Sequence, residues 1–308
     1  MIKISNVTKK YGDFTAVKDL SLTVNKAEFL VILGPSGCGK STLLRLINKM
    51  IARDSGEIEV NGEDIDDLKG EELRKTIGYV IQSIGLFPHM DVKKNIATVP
   101  HLLKWKNDKI SKRVDEMLAL VGLEPEKYRD KKPSELSGGE AQRIGVARAI
   151  ASDPDILLMD EPFGAVDPIN RLRLQKEFRK IQKELKKTVV FVTHDIDEAL
   201  LLSDRICILN QGEIVQIDTP ERIVLDPKNE FVKDFFKGEG ILTILSRKPA
   251  IDYAEAVLLE EEPLDENATL RDVLTEMLTT GKDRVALING SISWDSILKV
   301  AGSDINEV

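Results

Sequence analysis

The sequence predicts an α/β fold built on a mainly parallel sheet, with a helical insert and a small ordered unit near its C-terminal end. Three observations carry this. Apolar runs at residues 29–33, 156–159, 189–192 and 206–209 read as strands buried on both faces. They alternate with amphipathic segments of helical period. A glycine-rich stretch follows the first run and opens a helix.

The elements can be justified in order. Residues 2–8 and 18–24 read as edge strands of an N-terminal sheet. Residues 29–33 form a buried strand, and Leu43, Leu44, Leu46 and Ile47 then recur at helical spacing. Residues 56–60 run into Asn61-Gly62, a dipeptide suited to a two-residue hairpin turn. Residues 77–81 form another strand. From about 91 to 152 the pattern is helical, with Ile110, Val114, Met117, Leu118 and Val121 on one face. After Pro154 a strand returns at 156–159. A long helix carries Leu174, Phe178, Ile181 and Leu185 on one stripe. Strands 189–192 and 206–209 flank a helix at 195–203.

From residue 238 the composition changes. Fourteen acidic residues stand against six basic ones there, which accounts for the whole net charge of −8. Residues 238–264, with Glu260-Glu261-Glu262-Pro263, read as an acidic linker. Order returns in 265–308. Leu270, Val273, Leu274, Met277 and Leu278 make a helical stripe, a hairpin turns at Asn289-Gly290, and a short helix covers 295–301. The body before residue 238 is neutral and has no basic stripe, so nucleic acid is not expected as a partner. No run of 18 apolar residues is present, and the N-terminus lacks a signal-peptide profile. Cys38 and Cys207 are too few for a disulfide framework, and His89, His101 and His194 too scattered for a zinc site.

Three motifs carry chemistry. Gly34-Pro35-Ser36-Gly37-Cys38-Gly39-Lys40-Ser41-Thr42 fits G-x-x-x-x-G-K-[ST] in a strand–loop–helix setting. The glycines let backbone N–H groups close on phosphate oxygens, and the helix start at Lys40 aims its positive end at them. Lys40 then reaches the β- and γ-phosphates of a nucleoside triphosphate, and Ser41 holds Mg²⁺. A glycine-rich turn without ligand is the alternative. Asp160 and Glu161 end the buried run 156–159, which delivers them to the ligand crevice of a parallel sheet. Asp160 is placed to hold Mg²⁺ and Glu161 to polarise a water; a solvated acidic turn is the alternative. Leu136-Ser137-Gly138-Gly139-Glu140 opens a helix running to about 150. Ser137 and Glu140 have capping-box spacing, and the two glycines leave the helix start open as a second anion site.

The order of these motifs resembles the ATP-binding-cassette (ABC) ATPase family over about residues 1–237. The phosphate loop (Walker A), Gln82, the signature 136–139, the Asp160-Glu161 strand (Walker B), Asp167 and His194 occur in the family's sequence. The resemblance implies an ABC-type P-loop nucleotide-binding domain with an antiparallel β subdomain and a helical subdomain, binding ATP and Mg²⁺. It implies a homodimer, two cassettes head to tail. Each ATP would lie between the Walker A loop of one subunit and Ser137, Gly138 and Gly139 of the other, with Ser137 and Gly139 gripping the γ-phosphate. By the same resemblance Tyr11 stacks on adenine, and Gln82 contacts Mg²⁺ or water and senses a transporter partner. His194 contacts the γ-phosphate and Asp167 lines the dimer seam. Glu140 departs from the glutamine of many members; capping works with either side chain.

Residues 161–168, 82–89 and 193–199 resemble the importer branch, in particular ATPases for quaternary-amine osmoprotectants such as glycine betaine, carnitine and choline. The segment after 265 resembles one cystathionine-β-synthase (CBS) repeat, partially matched; a structural dimerisation tail is the alternative. This implies an energy-coupling ATPase on the cytoplasmic face of the membrane, working with separate permease subunits and an extracytoplasmic solute-binding protein. An ATPase for another solute, or a soluble ABC protein acting on DNA or ribosomes, are the alternatives. The second usually carries two cassettes or a long coiled-coil insertion. Only 97 residues separate Lys40 from Gly138, without sustained heptads.

Overall fold

The computed structural model describes residues 1–81, 85–164, 166–237 and 241–300. Along the chain, β1 (Ile2–Tyr11), β2 (Phe14–Val24) and β3 (Phe29–Leu33) precede α1 (Lys40–Ile47). Next come β4 (Ser55–Val60), β5 (Glu63–Asp64), α2 (Gly70–Thr76) and β6 (Ile77–Val80). The helical stretch holds α3 (Val92–Leu102), α4 (Asn107–Leu120), α5 (Pro125–Tyr128) and α6 (Gly138–Ile150). After it come β7 (Ile156–Asp160), α7 (Pro168–Leu185), β8 (Thr188–Thr193), α8 (Ile196–Leu202), β9 (Arg205–Asn210) and β10 (Glu213–Asp218). The remainder is α9 (Pro220–Leu225), α10 (Glu230–Phe235), α11 (Ile241–Leu245), α12 (Leu270–Thr280), β11 (Arg284–Leu287), β12 (Gly290–Ser293) and α13 (Trp294–Val300).

Contacts divide the chain into two compact units, Met1–Asp195 with Leu202–Ile217, and Ile196–Leu201 with Asp218–Val308. Among its described residues the first unit contains two sheets. One is antiparallel, in the order β2-β1-β4-β5. Its first strand is interior, not an edge: Ile2 pairs with Val24 on one side and Val60 on the other. The alternation of Ile2 and Ile4 with exposed neighbours reports one solvated face, which an interior antiparallel strand shares with an edge strand. The turn between β4 and β5 has positive φ at both Asn61 and Gly62, as a type I′ hairpin requires.

The other sheet has the order β10-β9-β3-β8-β7-β6, with parallel pairing of β9, β3, β8, β7 and β6. Strands β3, β7 and β8 are buried at every residue, which explains their unbroken apolar runs. Strand register brings three loops together. Leu33 pairs with Thr193 and Asp160 with Val192, so the loops after β3, β7 and β8 leave the same edge of the sheet side by side. One side of this sheet carries an aromatic cluster of Phe29, Phe163, Phe178 and Phe191, with centroids 5.8–6.3 Å apart.

The second unit has its own core, centred on Leu270, Val273, Met277, Val285, Leu287, Ile292 and Ile297. Leu278 falls outside the expected stripe and is exposed. The acidic stretch is not structureless. It contains α11 and a 3₁₀ turn at Ala250–Tyr253, with Leu245 and Ala250 buried. Its backbone is stitched to the module: Ala250 N donates to Ala268 O (2.8 Å), Glu255 N to Ser291 O (2.8 Å) and Leu264 N to Ala286 O (3.0 Å). The Glu255 carboxylate accepts from Ser296, Ser293 and Arg284, which holds it down to about 2. Net charge hid these apolar anchors.

Candidate active site

The loop at 34–42 leaves β3 and closes against its neighbours so tightly that two positions exclude a side chain. A Cβ at Gly34 would lie 2.1 Å from Leu209 O. Gly39, at the N-cap of α1, has φ +110°, and a Cβ there would lie 2.2 Å from Ala16 O. Among the described residues no side chain caps α1, which leaves its first N–H groups without a side-chain acceptor. Lys40 is buried, and its Nζ donates to Gly34 O (2.6 Å) and Pro35 O (2.9 Å). Burial pushes the Cys38 thiol up despite the Lys40 ammonium beside it.

Ser41 Oγ donates to Asp160 Oδ1 at 2.9 Å, across 119 positions of sequence. Asp160 is only 4% exposed. Burial raises its pKa; the Ser41 hydrogen bond acts against that, and the neighbouring Glu161 charge adds to it. Glu161 comes next with φ +45°, an uncommon value for a residue with a side chain. Its N–H donates to Val192 O (3.0 Å) and its carbonyl accepts from Gly164 (3.2 Å), which holds the strained turn. His194 stands one residue beyond β8, where Thr193 Oγ1 accepts from Asp195 N at 3.0 Å. Its Nδ1 lies 3.2 Å from Glu161 Oε1, with the imidazole 62% exposed.

One cleft collects eight of the expected residues. Tyr11, Phe14 and Ala16 wall it, Ser36, Gly37, Gly39, Lys40, Ser41 and Thr42 floor it, and Glu161 closes it. Phe14 belongs to none of the sequence motifs. It pairs with Tyr11 across the β1–β2 turn, and both rings are about half exposed. A signal for it exists in the sequence: two aromatics flanking a Gly12-Asp13 turn.

Ser137, Gly138, Gly139 and Asp167 line a different cleft, together with Tyr128, Glu140 and Arg143. The capping box forms. Glu140 N donates to Ser137 Oγ (3.3 Å), and Ser137 N donates to Glu140 Oε2 (2.7 Å). Tyr128 Oη donates to Glu140 Oε1 at 2.5 Å. Asp167 O accepts from Arg171 N at 2.8 Å, setting the first turn of α7. Gln82 lies outside the described residues. The first cleft thus offers a lysine, a serine hydroxyl and the Glu161 carboxylate, with Asp160 bonded to Ser41 behind them, a set suited to holding a polyphosphate and activating water beside it.

The profile of the ABC transporter family matches residues 17–164. The glycine betaine/carnitine/choline transport ATP-binding protein of Bacillus subtilis (strain 168) is 51% identical over 259 residues, 84% of this chain and 67% of the relative. The glycine betaine uptake system ATP-binding protein of Escherichia coli (strain K12) is 47% identical over 291 residues, 94% of each chain. Among solved structures, an ATP-binding cassette dimer in a post-hydrolysis state with ADP and Pi superposes with a TM-score of 0.65 at 36% identity, over 71% of this chain and 98% of that one. With identities this high over most of the length of each relative, the chain belongs to the ABC transporter ATP-binding protein family and is an ATP-hydrolysing cassette.

Proposed function

We propose that the chain powers uptake of quaternary-amine osmoprotectants of the glycine betaine, carnitine and choline type. It would sit on the cytoplasmic face of the membrane, bound to separate permease subunits, with a solute-binding protein outside. One observation carries the solute class: the 47% identity to a glycine betaine uptake ATPase runs over 94% of both chains. Among the described residues no helix is long and apolar enough to cross a membrane, which accords with a separate permease.

The roles proposed for the site residues draw on the family resemblance and on the geometry of the cleft. Lys40 and the N–H groups opening α1 bind the β- and γ-phosphates, and Tyr11 stacks on adenine with Phe14 beside it. Glu161 orients and deprotonates the attacking water, and His194 braces Glu161 and reaches the γ-phosphate. Ser41 Oγ and Asp160 Oδ1, 2.9 Å apart, are hard oxygen donors. They fit Mg²⁺, which is commonly held by one or two protein oxygens together with substrate phosphates and water. No cluster of three or more His, Cys, Asp or Glu competes for a metal among the described residues. Bound there, Mg²⁺ would neutralise phosphate charge; Gln82 is assigned to the same ion or its water.

Ser137, Gly138 and Gly139, with Asp167 beside them, complete the site of a second copy in a homodimer. Support comes from their lining a cleft distinct from that of Lys40. An anion-receptive helix start with no phosphate loop opposite finds its use when two copies face each other. Closure around ATP and opening after hydrolysis then supply the stroke. Residues 265–308, of which 301–308 lie outside the described residues, we read as a single partial CBS-like module.

The test is reconstitution of the chain with its permease in vesicles, with ATP hydrolysis and solute entry followed across a panel of trimethylammonium compounds. Uptake of at least one, dependent on Glu161, is expected. Entry of none, with another solute class driving hydrolysis, would overturn the solute assignment.

A further inference from the structure

We propose that Tyr128 is a positioning residue of the signature cleft: its hydroxyl pins the Glu140 carboxylate against the start of α6, keeping Ser137 and the first helical N–H groups open to an incoming phosphate. The proposal rests on the two-copy reading above. It begins from a conflict of charge. Glu140 puts a carboxylate in the first turn of the helix whose N-terminus is to receive a triphosphate. A carboxylate there satisfies the helix dipole by itself and repels a second anion.

Both oxygens of that carboxylate are engaged. Oε2 accepts from Ser137 N (2.7 Å) and Oε1 from Tyr128 Oη (2.5 Å). An ionised carboxylate has only acceptors, so the tyrosine must donate, and the bond is charge-assisted. Among the influences that hold Glu140 below the usual carboxylate range, the Tyr128 bond is the largest. Ser137 Oγ meanwhile accepts from Glu140 N (3.3 Å), which fixes the oxygen and leaves its proton to donate elsewhere. Tyr128 is itself held. It ends α5, which starts at Pro125; its carbonyl accepts from Lys131 N (3.1 Å), and Lys131 Nζ stands 4.2 Å above its ring. The carboxylate is therefore drawn toward α5. A neutral glutamine at 140 would need no such restraint, which gives the proposal its test.

In the full chain, Tyr128→Phe removes one hydroxyl. It should raise KM for ATP about three- to tenfold, less than the whole worth of the charge-assisted bond because the phosphate feels its loss only through Glu140, with kcat little changed. In a Glu140→Gln background the same substitution should change KM less than about twofold, since no charge remains to restrain. An equal KM effect in both backgrounds, or none in either, overturns the proposal. A second readout is ATP-driven association of Glu161→Gln chains. If MgATP leaves them unassociated with Tyr128 intact, the two-copy reading fails and this proposal with it. If they associate and adding Tyr128→Phe does not raise the ATP concentration required, only the Tyr128 proposal fails.

Discussion

Ser41→Ala tests the link between the phosphate loop and the strand that carries Asp160. The serine hydroxyl donates to a carboxylate oxygen at 2.9 Å, and Asp160 is 4% exposed. Removing the donor leaves a buried charge less well satisfied, at a cost of about 1–3 kcal/mol. For a unit of this size about 2–4 °C is lost per kcal/mol, so the melting temperature should fall by roughly 2–12 °C. The effect has a pH signature. Burial already raises the pKa of Asp160, so its ionisation weakens the fold as pH rises through the folded value. Ser41 opposes that rise; without it the folded pKa moves further up. The deficit of Ser41→Ala should thus be small in acid, where Asp160 is protonated in both proteins, and grow toward neutral pH. Asp160→Asn, which removes the charge and keeps an acceptor, should melt no lower than the parent while losing turnover. Thermal melts from pH 4 to 8, paired with ATP hydrolysis against Mg²⁺ concentration, read all of this. A deficit of equal size at every pH, or an unchanged Mg²⁺ requirement, would refute the reasoning.

Two further outcomes are expected. Glu161→Gln should keep ATP binding and lose about 10²- to 10⁴-fold in kcat, the usual worth of a general base, as measured by phosphate release; loss within twofold would remove Glu161 from that role. Cys38 should react slowly with an alkylating agent at neutral pH, because burial raises its pKa, and faster as pH rises; MgATP should slow it further, and labelling indifferent to MgATP would place the thiol outside the nucleotide site.

The legible parts of this protein were those with local causes. The runs at 29–33 and 156–159 are unbroken because the sheet buries both faces, and the run is visible without a fold. Asn61-Gly62 announces its turn because few residues accept two positive φ values in succession. The loop at 34–42 and the capping box at Ser137 are likewise short-range. What escaped was set by pairing at a distance. Whether β1 lies at an edge depends on β4, some fifty residues later, and one face of alternation cannot report it. The Ser41–Asp160 bond, the 3.2 Å approach of His194 to Glu161 and the positive φ of Glu161 are products of strand register. Phe14 joined the cleft only through its partner across a hairpin, and Tyr128 through a hydrogen bond to a residue twelve positions on. In the second unit the acidic composition at 238–264 was dominated by surface charges, while Leu245 and Ala250 between them were packing inward.

We propose that a working site is made from two copies, Lys40 from one and Ser137 from the other. Mixing two disabled chains tests it most directly. Lys40→Ala and Ser137→Arg should each hydrolyse almost no ATP alone. Combined, they form mixed dimers in which one site has an intact Lys40 facing an intact Ser137, and hydrolysis should return. A mixture as inactive as its components would contradict the shared site.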